Sequence, residues 1–81
     1  MQILYFAWLR ERIGVAEETF TSSALTVHDL VDELRTRDQR YGAAFADISS
    51  VRVALDQRLG SFDDPIAGVR EVAFFPPMTG G

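Results

Sequence analysis

The 81-residue chain contains no cysteine and no lysine. Without cysteine there is no disulfide framework, no thiolate zinc cluster and no thiol nucleophile, so stability must come from packing, and a reducing compartment is permitted. Without lysine there is no side-chain amine to hold phosphates or to accept an isopeptide bond, which leaves the amino terminus as the one amine. No P-loop signature occurs, and no glycine-rich turn links a strand to a helix, so the chain has no nucleotide site of its own. A metal site needs several converging ligands; His28 is the only histidine and has no suitably spaced companions, so it is expected at the surface or at a helix cap, with no metal bound. No apolar run approaches the roughly 20 residues of a membrane span. The start opens into an amphipathic strand without a leader's basic flank and cleavage site, so the expectation is a cytoplasmic protein with no membrane partner. Eight arginines form no basic stripe and the net charge is −4, which argues against nucleic acid as a partner and favours a basic docking surface elsewhere.

What is present is a 47% apolar chain of one-domain length, enough for a modest core. Residues 1–8 read as a strand, because Ile3, Tyr5, Phe6 and Trp8 put apolar side chains on both faces. Residues 9–14 form a polar or helical turn, and residues 17–22 a second strand at the sheet edge, joined to the first as a hairpin. Thr26-Val27-His28-Asp29 has the spacing of a capping box, and Val27, Leu30, Val31 and Leu34 follow at i, i+3, i+4 and i+7, so a helix starts there. Asp32, Glu33, Arg35 and Arg37 then face water, with Glu33 and Arg37 in the favourable i, i+4 order. Residues 41–45 form a short helical or irregular piece that tucks Tyr41 and Phe45 under the core. Residues 50–55 make a third strand with Val51, Val53 and Leu55 on one parity. Asp56-Gln57 turns the chain into a short strand over 58–62, Asp63-Asp64-Pro65 marks a loop and Gly68 a turn. Residues 70–75 form the last strand, with Val72 and Phe74 predicted inside. This order predicts an α+β fold with one main helix on one face of a mixed sheet.

The chain ends on Phe74-Phe75-Pro76-Pro77-Met78-Thr79-Gly80-Gly81. At average usage of roughly 7%, two glycines fall at a terminus about once in 200 chains. Lacking side chains, they can thread a channel too narrow for any other residue. A terminal carboxylate has a pKa of about 3.5, so near neutral pH it is an anion and a poor electrophile until activated. A mixed anhydride with a nucleotide phosphate would let sulfur or nitrogen attack. The adenylating enzyme must therefore be a partner. The tail from Pro76 to Gly81 extends about 3.3–3.6 Å per residue, or roughly 20 Å, far enough to enter a partner's active site. Pro76 and Pro77 lower the entropy lost on insertion. The expected domain boundaries are residues 1–75 as the folded domain and residues 76–81 as an extended tail. Phe75 is expected in an exposed apolar patch beside the tail, together with Leu59, where a partner packs. Asp63 and Asp64 read as turn chemistry rather than an acid–base pair, and Ser22-Ser23 and Ser49-Ser50 lack a basic partner for activation.

The run from Glu71 to Pro77 with the terminal Gly80-Gly81, the helix start at Thr26 and the stretch Ser61-Phe62-Asp63-Asp64-Pro65 resemble the molybdopterin synthase small-subunit family over essentially the full length. The resemblance implies a β-grasp, ubiquitin-like fold with the first and last strands side by side. It implies that Gly81 is adenylated by a ubiquitin-activating-like enzyme, sulfurated to a thiocarboxylate with the help of a sulfurtransferase, and donates sulfur to cyclic pyranopterin monophosphate. Gly80, Thr79, Met78, Pro77 and Pro76 would line the channel of the large subunit, in a complex of two small and two large subunits. The small subunit would carry the reacting group without being a catalyst alone. This chain departs from the family pattern at Arg70, at Met78, and at Asp56, where asparagine is usual. Related carriers for the thiamine thiazole or transfer RNA, a ubiquitin-like protein modifier, and a plain interaction module are the competing readings.

Overall fold

In a computed structural model the structure describes residues 1–77. The elements are β1 (Gln2–Tyr5), α1 (Ala7–Ile13), β2 (Glu17–Thr19), α2 (Val27–Arg37), α3 (Gln39–Ala44), a 3₁₀ turn (Ile48–Ser50), β3 (Arg52–Leu55), β4 (Arg58–Gly60) and β5 (Glu71–Phe75). The five strands form one sheet in the order β2-β1-β5-β3-β4. β1 and β5 run parallel in its middle, with Gln2 opposite Glu71 and Tyr5 opposite Phe74, and the other pairs are antiparallel.

The expected first strand is too long and the expected hairpin is replaced. The chain leaves β1 at Phe6, turns sharply at Ala7 with φ +52°, and enters α1, which carries Trp8. Leu9 and Ile13 lie one helical turn apart and are fully buried, so the expected polar or helical turn over residues 9–14 is a helix with an apolar face, and Trp8, expected in the strand, belongs to it. Gly14, at φ +95°, ends α1 in the left-handed conformation open to glycine. β2 therefore pairs with β1 through a helical connection, and it is three residues long, at the sheet edge.

α2 begins where the capping pattern places it. Thr26 Oγ1 accepts from the Asp29 backbone N–H at 3.3 Å, and Val27, Leu30, Val31 and Leu34 are buried against the sheet. Glu33 and Arg37 do not pair as expected: Ser22 Oγ donates to Glu33 at 2.8 Å, while Arg37 Nη1 sits 3.1 Å from Glu18 Oε1. Two better-placed partners from β2 and the segment after it outcompete the exposed i, i+4 contact, which is worth only about 0.3 kcal/mol. α3 tucks Tyr41 and Phe45 into the core, as expected, and Arg35 Nη2 donates to the Phe45 carbonyl oxygen.

Phe74 is the centre of the core. It is fully buried, stacks on Tyr5 at 6.1 Å and on Phe62 at 6.4 Å, and meets the edge of Phe45 at 4.9 Å. Phe62 lies beyond β4 rather than in it, so the fourth strand is shorter than expected. The sheet's inner face is thus covered by helices, and its outer face carries none of them.

Candidate functional site

Register fixes what the outer face presents. Residues opposite one another in a sheet point to the same side. Leu4 faces Glu17 and Ala73, Ala73 faces Ala54, and Ala54 faces Leu59, so one row of side chains crosses all five strands on that side. Phe75 lies two residues beyond Ala73 on the same side, opposite Arg52. The row is nearly all apolar, and its two alanines keep it low.

An open cavity of about 770 Å³ lies over this face. β1 contributes Leu4, and Phe6 follows it; β3 contributes Ala54, and the turn after it Gln57. β5 contributes Glu71, Ala73 and Phe75, and the chain continues along the wall through Pro76 and Pro77. Phe6 is 46% exposed and Phe75 half-buried, so two aromatic rings flank the place where the chain leaves the sheet. Of the residues expected at the interface, Phe75 lines this cavity. Leu59 does not line it, but stands on the same side of the adjoining edge strand at 74% exposure. Pro76 and Pro77 are half-buried in the wall, while Met78, Thr79, Gly80 and Gly81 lie outside the described residues.

Sequence reasoning missed Phe6 as a site residue. Its parity with Leu4, opposite to Ile3 and Tyr5, was the available signal, and reading residues 1–8 as two-faced hid it. Leu4, Ala54, Gln57 and Glu71 join the site only through strand pairing, which spacing in the chain does not reveal.

Two devices hold the platform in shape. Asp56 and Gln57 occupy left-handed conformations, φ +50° and +70°, in the β3–β4 turn. Asp56 Oδ1 accepts the backbone N–H groups of Arg70 and Glu71, each at 3.0 Å, which pins the start of β5. An asparagine side-chain oxygen accepts in the same way, so this departure from the family pattern keeps the acceptor. Arg70 is exposed at the end of β5 opposite to Phe75.

On the inner side, Tyr5 and Tyr41 hydroxyls both donate to Glu18 Oε2, at 2.7 and 2.6 Å, and Arg37 bonds Oε1 at 3.1 Å. Burial alone would favour the neutral acid, but the hydrogen bonds from Tyr41, Tyr5 and Arg37 outweigh it and hold the Glu18 carboxyl below its ordinary range. Burial, reinforced by Glu18, pushes both tyrosine hydroxyls upward. The network ties the edge strand β2 to β1, α2 and α3.

His28 lies exposed on the first turn of α2, against the Phe62 ring at 5.7 Å. Asp64 Oδ2 accepts from the Ser61 backbone N–H at 2.9 Å, and Ser61 Oγ from Asp63 N–H at 3.1 Å, so this stretch is turn chemistry. Among the described residues no group of three or more His, Cys, Asp or Glu is placed to hold a metal ion, and no helix is long and apolar enough to cross a membrane.

Against known proteins, the sequence model of the ThiS family matches residues 3–81. The molybdopterin synthase sulfur carrier subunit of Escherichia coli (strain K12) is 36% identical over 81 residues, all of this chain and 99% of that protein. The subunit of the same name from Haemophilus influenzae is 30% identical over 81 residues, with the same coverage. Among solved structures, a putative molybdopterin converting factor, subunit 1, from Pyrococcus furiosus superposes with a TM-score of 0.69 at 26% identity over 95% of each chain. SAMP1 from Haloferax volcanii gives 0.71 over 100% of this chain and 98% of its own, at 23% identity, a likeness that bears on the fold alone. Matched along its whole length by sequence and by shape, this chain is a ubiquitin-like, β-grasp member of the ThiS family.

Proposed function

We propose that this chain is the sulfur carrier subunit of molybdopterin synthase, with Gly81 as the sulfur-bearing residue. The observation that carries the reading is the full-length likeness to sulfur carrier subunits in a chain that ends on Gly80-Gly81. The geometry supports it. β5 runs through the sheet centre and hands the chain to Pro76 and Pro77 beside an apolar platform. A large subunit that packs on Leu4, Phe6, Phe75 and Leu59 receives the tail at a fixed point.

The chemistry follows from the carboxylate. One of its oxygens attacks the α-phosphorus of ATP on a ubiquitin-activating-like enzyme, and pyrophosphate leaves. The outer sulfur of a sulfurtransferase persulfide then attacks the acyl carbon and AMP leaves; a second thiol on the partner side breaks the S–S bond of the resulting acyl disulfide, forms a disulfide with the sulfurtransferase cysteine, and leaves the thiocarboxylate. Its sulfur is the nucleophile offered to cyclic pyranopterin monophosphate in the large subunit, and two such deliveries build the dithiolene. Water returns Gly81 to the carboxylate after each. Gly80 keeps the end slender, and Met78 and Thr79 run through the channel. The complex holds two small and two large subunits. It is the enzyme, acting in the cytoplasm, and this chain is its carrier. Acid–base and phosphate-binding groups belong to the partners.

Deleting Gly81, or Gly80→Trp, tests this reading. Sulfur transfer should vanish while the folding free energy, read from thermal unfolding, changes by less than about 0.5 kcal/mol. A tail-deleted chain that still supports molybdopterin formation would overturn it.

A further inference from the structure

Of the described residues that line the platform's cavity, Glu71 alone is charged. It is half-buried at the start of β5, the end farthest from the tail. We propose that Glu71, together with Gln57, is the receptor for an arginine side chain of the large subunit, and that this contact fixes the register in which that subunit sits on the sheet. The proposal rests on the carrier reading and deepens it, by naming the group the partner brings to this end of the platform.

Strand pairing gives Glu71 its place. It lies opposite Gln2 of β1 and two residues before Ala73, so its side chain rises on the outer side with the apolar row. The polar groups around it are already engaged. Gln2 Nε2 donates to Glu17 Oε2 at 2.7 Å, and Asp56 Oδ1 accepts the backbone N–H groups of Arg70 and Glu71. Among the described residues, ion pairs join Arg35 to Asp32, Arg37 to Glu18 and Arg40 to Asp38, and none reaches the Glu71 carboxylate.

Gln57 adds an independent irregularity. Leu55 pairs with Arg58, so Asp56 and Gln57 are the two residues of a tight turn, at φ +50° and +70°. Glycine is the usual second residue of such a turn, because a side chain there is strained. Asp56 is accounted for by its hold on β5, which its own N–H strengthens by donating to the Glu71 carbonyl oxygen at 2.9 Å. Gln57 has no such task. Exposed, and fastened by its neighbour to the start of β5, it lines the same cavity as Glu71.

Docking closes the cavity and strips water from Glu71. A carboxylate that loses its water in an apolar interface is costly unless a cation replaces that water. This chain places no cation in the lining, so the partner supplies it. Arginine fits the site better than lysine, since its planar fork donates in two directions, to a carboxylate and to an amide oxygen together. Apolar contacts along a low, nearly uniform row tolerate sliding. One charge at the end of the row does not, and fixing that end sets where Phe75 and Pro76, at the other end of β5, deliver the chain.

Titration calorimetry of the full chain against the large subunit tests this, with wild type, Glu71→Gln, Gln57→Gly and Arg52→Gln compared and denaturant unfolding run on each. Glu71→Gln should weaken binding by about tenfold or more. The affinity that wild type loses between about 0.05 and about 0.5 M salt should shrink in this variant. A carboxylate left without a cation would behave in the opposite way, and its removal would tighten binding. Gln57→Gly should weaken binding by about threefold without lowering stability, because glycine relieves the turn. A damaged fold cannot produce that pair of results. Arg52, opposite Phe75 on the same side but exposed and outside the cavity, is the control, and Arg52→Gln should stay within about twofold of wild type. Binding by Glu71→Gln that equals or exceeds wild type would overturn the proposal, and so would Gln57→Gly that binds as wild type does. A wild-type chain that does not bind the large subunit at all would instead overturn the carrier reading from which the proposal starts.

Discussion

The two faces of the sheet use the same kinds of residue for opposite ends. Phe74 and Phe75 are neighbours in β5, yet Phe74 is sealed among Tyr5, Phe45 and Phe62, while Phe75 stands half-buried at the rim of an open cavity. Period-2 alternation sends them to opposite sides. The inner side is roofed by α1, α2 and α3 and closed by the Glu18 network; the outer side has a flat apolar row that no element among the described residues covers. Apolar area therefore serves stability on one side, and on the proposed reading it serves association on the other.

Substitutions can break this contrast. The largest expected effect is at Phe74, where Phe74→Ala should cost about 3–5 kcal/mol of stability in denaturant unfolding. Phe75→Ala and Phe6→Ala should each weaken large-subunit binding by about 2 kcal/mol in titration calorimetry, with much smaller losses in unfolding. Equal losses of folding and binding at Phe75 would mean that the two faces do not differ in the way described. Glu18→Gln comes next. It leaves two tyrosine hydroxyls and Arg37 without their carboxylate and should cost about 1–3 kcal/mol.

The same carboxylate sharpens the comparison through pH. The folded carboxyl of Glu18 lies below its ordinary value of 4.5, so its contribution is complete above that value and is lost as pH falls through the folded pKa. Tyr5 and Tyr41 are raised above 10.0, so their contribution is complete below that value and is lost as pH rises beyond it. Glu18→Gln should flatten the acid limb of a stability–pH curve, and an unchanged limb would remove Glu18 from the account. The smallest effect belongs to the helix cap, where Thr26→Ala should cost about 1 kcal/mol.

Local chemistry was the legible part of this molecule. The Thr26 cap, the α2 stripe, the Asp56-Gln57 turn and the burial of Val72 and Phe74 all rest on neighbours within a few residues. The reading of the Gly80-Gly81 ending rests on chemistry rather than on packing, and those two residues lie outside the described ones. What could not be read was long-range. The split of residues 1–8 between β1 and α1 turns on the left-handed backbone at Ala7, which alanine does not advertise. Arg37 finds Glu18 across 19 residues, and Phe6 lines the same cavity as Pro76 only because β1 and β5 lie parallel.

The most direct test of the account is the intact mass of this chain after incubation with its activating enzyme, ATP and a sulfur source, then again after adding the large subunit and pterin precursor. The account predicts a gain matching one oxygen exchanged for sulfur, which disappears as molybdopterin forms. A gain that persists in the presence of the pterin, or one that never forms with a demonstrably active enzyme, would contradict it.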